Sequence, residues 1–216
     1  MTIQSENRPK TLPVRTDSLA ALLQSRRSVR KYQAHPVSYE LIEQVIEAAR
    51  WAPSPHGRQP WRFAVLTTQE LKLQLADQMG STWQQNLQMD GQDTETVNLR
   101  LEKSRQRILN APVIILPCLY LEDLDYYPDE RRQADEKTMA IQSIGAAIQN
   151  MLLMAYDLGL DAGWMCAPLF CPEVVCNALD LDPRLIPQAL ITIGYAAADP
   201  QRRERLPLSS LIVRFD

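Results

Sequence analysis

Histidine occurs only twice in these 216 residues, at His35 and His56, which excludes a Ser-His-Asp triad or three-histidine metal centre on numbers alone. No G-x-G-x-x-G or G-x-x-x-x-G-K stretch exists, so neither a Rossmann turn nor a P-loop is signalled. The four cysteines, Cys118, Cys166, Cys171 and Cys176, include no C-x-x-C pair, and the spacing of the last three is not a zinc pattern. Reduced thiols are expected, and no metal. Long apolar runs are missing too: Pro112 to Leu121 spans about ten residues, too short to cross a bilayer. A net charge of −3 lacks the basic excess of a general nucleic-acid binder. Residues 1–17 carry Pro9 and Pro13 and mixed charge, with no apolar core of a signal peptide, and read as a flexible arm. A cytoplasmic protein with no nucleic-acid or membrane partner is expected.

What the chain does have is arginine in two clusters. Arg26, Arg27 and Arg30 surround Ser28 near one end, and Arg202, Arg203 and Arg205 stand near the other. Arginine forks match phosphate oxygens because each donates two parallel hydrogen bonds. Residues 18–28 read as a first helix that runs into this cluster, and if the segment Ser25 to Arg30 is helical, Arg26 and Arg30 share a face, so that one phosphate dianion satisfies them and Ser28 together. The alternative is a solvated basic turn, and the second cluster is what favours phosphate.

The 45% hydrophobic and 23% charged content suits a globular chain, and residues 18–216 are expected to form one domain. Ser38 is a candidate N-cap for a helix carrying Leu41, Ile42, Val45, Ile46 and Ala49, which ends before Pro53. Residues 53–60 are a loop by composition, and 61–67 alternate as a strand. A short helix is expected over Gln69–Met79, anchored by Leu71, Leu73 and Leu75, then a polar segment that is helical over 95–109. Val-Ile-Ile-Leu within 111–120 marks a buried strand, and 122–136 reads as an acidic, flexible excursion. Residues 138–158 are the strongest helix, closed by Gly159. Residues 161–166 are a strand or extended loop, 172–179 a short helix, and 189–195 and 211–215 strands. With no steady βαβ alternation, the fold class is α+β.

Four ordered stretches carry a resemblance over residues 18–216. They are Arg26-Arg27-Ser28-Val29-Arg30, then Ala52 through Phe63, then Leu153 to Leu160 with Gly163-Trp164, and finally Arg203-x-Arg205-x-Pro207-Leu208. Together they are similar to the nitroreductase-type FMN flavoproteins. Ser54 to Pro60 with Leu169 to Val175 most resembles the C-terminal flavin domain of deazaflavin-coenzyme gamma-glutamyl ligases, here without the ligase half.

The resemblance implies a nitroreductase-like homodimer: a central mixed sheet flanked by helices, with an exchanged C-terminal strand. It implies FMN as cofactor and hydride passing from NAD(P)H through FMN to a small electrophilic acceptor. By position, Arg26, Arg27, Ser28 and Arg30 would hold the phosphate, ribityl chain and ring edge, with Arg203 and Arg205 completing the phosphate site. Arg30 is the candidate cation beside N1 of the reduced ring. Ser54, Pro55 and Gly57 from the second subunit would line the ring, as would Gln142 or Ser143. Trp164, Met165, Cys166 and Ala167 would lie along it, a backbone N–H near Cys166 and Ala167 meeting N5. No side chain is assigned a catalytic role.

Two positions depart from the family pattern. Gly57 stands where many members have asparagine, and Cys166-Ala167 where some have Glu-Gly. Both bear on the substrate. His56 faces substrate or solvent, and Arg58 meets an anionic substrate or water. Tyr126-Tyr127 forms a lid or an exposed loop. Trp61 and Trp164 are expected to pack rather than stack. Two other functions stay open: a flavin or deazaflavin binding module without NAD(P)H turnover, and a flavin-consuming oxygenase of the same fold.

Overall fold

The computed structural model describes residues 18–200 and 204–215. Its helices are α1 (Leu19–Ser25), α2 (Tyr39–Arg50), α3 (Gln69–Met89), α4 (Thr94–Leu109), α5 (Glu130–Asp157) and α6 (Pro172–Ala178). The strands are β1 (Trp61–Leu66), β2 (Val113–Tyr120), β3 (Asp161–Met165), β4 (Leu185–Pro187) and β5 (Leu190–Gly194). They form one sheet in the order β1-β2-β5-β3, with β4 beside the far end of β2.

β2 shows why the sheet needs helices on both faces. Val113, Ile115 and Leu119 enter the core built with α2 and α5. Ile114, Leu116 and Cys118 enter a second core with α3. Side chains of a strand alternate between faces, so a strand covered on both sides must be apolar throughout. The Val-Ile-Ile-Leu run records that burial.

Two helix ends match their sequence signals. The Ser38 hydroxyl accepts from Leu41 N–H at 3.4 Å, and Ile42, Val45 and Ala49 turn inward from α2. At the end of α5, Gly159 has φ 81° and Leu160 N–H returns to the Ala155 carbonyl at 2.8 Å. That bond needs a left-handed residue, which glycine adopts without a Cβ penalty. Trp61 is 5% exposed, a packing residue as expected. By length and composition α5 could span a bilayer, but Ala140, Ile144, Ala147, Ile148, Met151, Leu152 and Ala155 are buried in the core.

Several expectations are corrected. All pairs between named strands are antiparallel, and the parallel contact is the isolated Ser28–Ala162 bridge. α1 stops at Ser25 instead of running through the arginines. α3 continues ten residues past Met79 to Met89, because Leu75, Met79, Trp83 and Leu87 keep a four-residue repeat through Gly80. Leu71 and Leu73 are not its anchors: they lie 37% and 39% exposed, whereas Lys72 is buried. The excursion ends at Asp129, whose carboxylate caps α5 by accepting from Arg132 N–H at 3.0 Å, so residues 130–136 are helical. β4 had no clear sequence signal. Residues 211–215 form no strand in this chain: a short 3₁₀ turn at Leu208–Ser210 is followed by exposed Val213 and Phe215.

Candidate functional site

Arg26 to Gln33 run as an extra extended segment laid against the sheet. Val29 N–H donates to the Ala162 carbonyl at 2.9 Å, and Gln33 N–H to that of Tyr195 at 2.8 Å. Val29 is 3% exposed and anchors the segment, while Ser28 and Arg30 face outward. The Tyr32 hydroxyl sits 2.9 Å from the Val29 carbonyl oxygen and 2.8 Å from Thr192 Oγ1. Burial raises its pKa well above the usual phenol. This corrects the helical reading: Arg26, Ser28 and Arg30 share a side by the two-residue period of extended chain. The cause is remote, since the acceptor for Val29 lies more than a hundred residues away.

Arg26 is half-buried, and its pKa is lowered first by desolvation, then by the nearby charges of Arg205 and Arg27. The two ends of the chain therefore converge as a cluster of cations. Among the described residues Arg26 has no carboxylate partner. Arg203 lies outside the described residues. Arg27 is partly diverted from the expected role: its guanidinium donates to the Gln24 carbonyl at 2.6 Å and the Arg26 carbonyl at 2.8 Å, closing the end of α1.

The loop at 54–59 is built differently. Pro55–Gly57 make a single 3₁₀ turn, with His56, Gly57 and Gln59 all at positive φ. The Ser54 hydroxyl accepts from Gln59 N–H at 3.0 Å, so it closes the loop. Gly57 has φ 66° and open space where a Cβ would stand. Glycine and asparagine are the residues that most readily adopt this conformation, which accounts physically for either at this position. His56 and Arg58 share one partner that sequence reasoning missed: Asp125 lies 3.7 Å from His56 Nε2 and 2.5 Å from Arg58 Nη2. The acidic run 122–125 was visible, but nothing in it indicated which cations it would meet. Tyr126 is 85% exposed.

On the third side, Trp164 packs with the α5 core and Met165 with the α3 core, so their side chains occupy opposite faces of the sheet. They do not line one surface together. Trp164 Nε1 is buried without a hydrogen-bond partner. Cys166 and Ala167 are exposed, and Ala167 opens the 3₁₀ turn Ala167–Phe170, where the first N–H groups have no acceptor inside the turn. Gln142 is exposed on α5, whereas Ser143 is buried and donates to the Met139 carbonyl at 2.7 Å. Of that pair, Gln142 is the one free to meet a ligand. Among the described residues no His, Cys, Asp or Glu cluster could hold a metal.

Comparisons with known proteins identify the family. The nitroreductase family profile matches residues 23–195. The chain belongs to the nitroreductase family. A family member named NADH dehydrogenase from Thermus thermophilus is 29% identical over 94% of this chain and 98% of its own. The Bacillus subtilis family member YfhC, provisionally named an NAD(P)H nitroreductase, is 24% identical over 93% of this chain and 96% of its own. A provisionally named nitroreductase of Desulfovibrio desulfuricans, solved in complex with FMN, superposes with a TM-score of 0.70 at 28% identity, covering 93% of this chain and 99% of that one.

Proposed function

We propose that this nitroreductase-family chain is a cytoplasmic FMN-dependent oxidoreductase that draws hydride from NAD(P)H and passes it to a small electrophilic acceptor. The observation that carries the reading is that Arg26, which feels the charge of Arg205 from the other end of the chain, lies on a segment that presents Ser28 and Arg30 outward. The relatives' names and the FMN complex of the Desulfovibrio protein support the cofactor.

The residues fit such a group. A half-buried Arg26 guanidinium that also feels the charge of Arg205 is stabilised by a dianion beside it, and each fork adds charge-assisted hydrogen bonds. Arg26, Arg205 and, in this proposal, Arg203 hold the phosphate. Ser28 serves the ribityl chain, and Arg30 places positive charge at the ring edge. The Ala167 N–H, at the open start of its turn, provides a donor to the ring, with Cys166 beside it. When bound, FMN supplies a two-electron carrier that accepts hydride from a nicotinamide and yields it to an acceptor. The protein binds and orients, so no side-chain base is required.

We place the working unit in a homodimer of residues 18–216. Leu19 and Leu23 of α1 and Trp51 after α2 are exposed, beside a cleft of about 550 Å³ also lined by Leu153 and Met154. Exposed Val213 and Phe215 give the C-terminal segment an apolar strip for a second copy, which would in turn contribute Ser54, Pro55, Gly57 and Gln142. The likeness of residues 54–60 and 169–175 to the deazaflavin-ligase flavin domain adds a deazaflavin to the acceptors worth trying.

The test is the visible spectrum of the purified protein, before and after NADPH is added without oxygen. A yellow protein that bleaches supports the reading. A yellow protein that does not bleach, even with NADH, replaces it with a binding module or a different donor. A colourless protein that FMN cannot reconstitute overturns it.

A further inference from the structure

A separate cleft of about 580 Å³ lies between the segment that follows Arg30, the first turn of α3 and the turn joining α4 to β2. Its lining includes three basic side chains, Lys31, His35 and Lys72, and no aspartate or glutamate. Neither Arg26 nor Arg205 borders it. This composition is unusual for a chain whose acidic residues outnumber its lysines and arginines by 26 to 23.

Lys72 is the informative residue. It is 3% exposed, and Nζ donates to the carbonyls of Ala111 and Pro112, each at 2.7 Å. Two of its three protons are thereby used and one is uncommitted. No carboxylate lies within ion-pair distance of it among the described residues. Burial lowers its pKa, with no anion present to offset the cost. A buried cation is ordinarily paired, because carbonyl dipoles recover only part of the hydration it loses. The backbone and rings around it are set in place. The His35 ring is packed edge-on against Tyr195 at 5.1 Å, and the Lys31 carbonyl accepts from Ala197 N–H at 3.0 Å. Gln33 and Gln69 are also fixed by bonds from their amide nitrogens to the Ala196 and Leu109 carbonyls.

We propose that this cleft binds a small oxyanion-bearing molecule, a phosphate or carboxylate compound, held by Lys72 at its floor and by Lys31 and His35 at its mouth. The site is independent of the arginine cluster and of whatever that cluster holds.

Amide chemical-shift mapping of the full chain, titrated separately with inorganic phosphate and with malonate, tests this. Saturable shifts are expected over residues 31–36, 69–72 and 109–112, and whichever anion saturates at lower concentration identifies the class. The shifts persist in an Arg26→Ala/Arg205→Ala variant. They require about tenfold or more additional anion in a Lys31→Ala/His35→Ala variant, whose exposed positions leave the fold intact. Lys72→Met abolishes them where that protein folds. Absence of saturable shifts in these segments, or titration unchanged by Lys31→Ala/His35→Ala, overturns the proposal.

Discussion

Residues 26–33 and residues 54–59 both include side chains proposed to touch the flavin, yet they are held by opposite means. The arginine segment is fixed by backbone hydrogen bonds to Ala162 and Tyr195, by a buried Val29 and by the Tyr32 hydroxyl. The loop is fixed by the Ser54 hydroxyl and by ion pairs from Asp125 to side chains that stay largely exposed, at 58% for His56 and 44% for Arg58. Buried backbone bonds are insensitive to salt and costly to lose, whereas exposed ion pairs are screened and contribute ~1 kcal/mol or less. In the proposed site the firm segment would serve the cofactor and the adjustable loop the substrate.

Gly163→Ala should break the firm side with the largest effect. A Cβ there would stand 2.3 Å from the Val29 carbonyl oxygen and 2.8 Å from Thr192 Oγ1. Overpacking against backbone costs about 3 kcal/mol, read as a lower urea midpoint together with loss of bound FMN. Next, Arg26→Ala or Arg205→Ala leaves the fold intact and removes charged hydrogen bonds worth roughly 1.5–3 kcal/mol each, about ten- to a hundred-fold in FMN affinity. Flavin content equal to wild type in both purified variants would sink the phosphate assignment.

Asp125→Asn probes the adjustable side. Stability should change by less than about 1 kcal/mol, while KM for the acceptor shifts a few-fold with FMN content unchanged. Half-molar salt should reproduce that shift in the wild-type protein, since it screens the same pairs. Smallest of all is Gly57→Asn, which enters open space in a conformation asparagine tolerates, costing about 0.5 kcal/mol. A large destabilisation there would show that the loop is more constrained than its ion pairs suggest.

Features set by local pattern were legible in the sequence: Ser38 as cap, the period of α5, Gly159 as its stop and the double-sided burial of β2. Features set by distant partners were not. The extended conformation of 26–30 depends on Ala162, and Arg27 could not be known to turn back on α1. The continuation of α3 hid behind its polar face and Gly80. Two buried polar side chains also contradicted their residue types: Lys72, held by carbonyls, and Glu136, 1% exposed with neither carboxyl oxygen bonded. The resemblance placed Arg26 and Arg205 in one site, but spacing alone would not have brought them together.

The closeness of Gly163 to Val29 also bears on how this molecule can diversify. A position where even one added carbon meets a carbonyl offers mutation almost no path, and the segment it supports is constrained with it. The loop at 54–59 stands over open space, so it can accept substitutions one at a time. Descendants of this chain, natural or selected in the laboratory, should therefore acquire new acceptors through residues 54–59 and 125 while 26–30 and 163 remain unchanged.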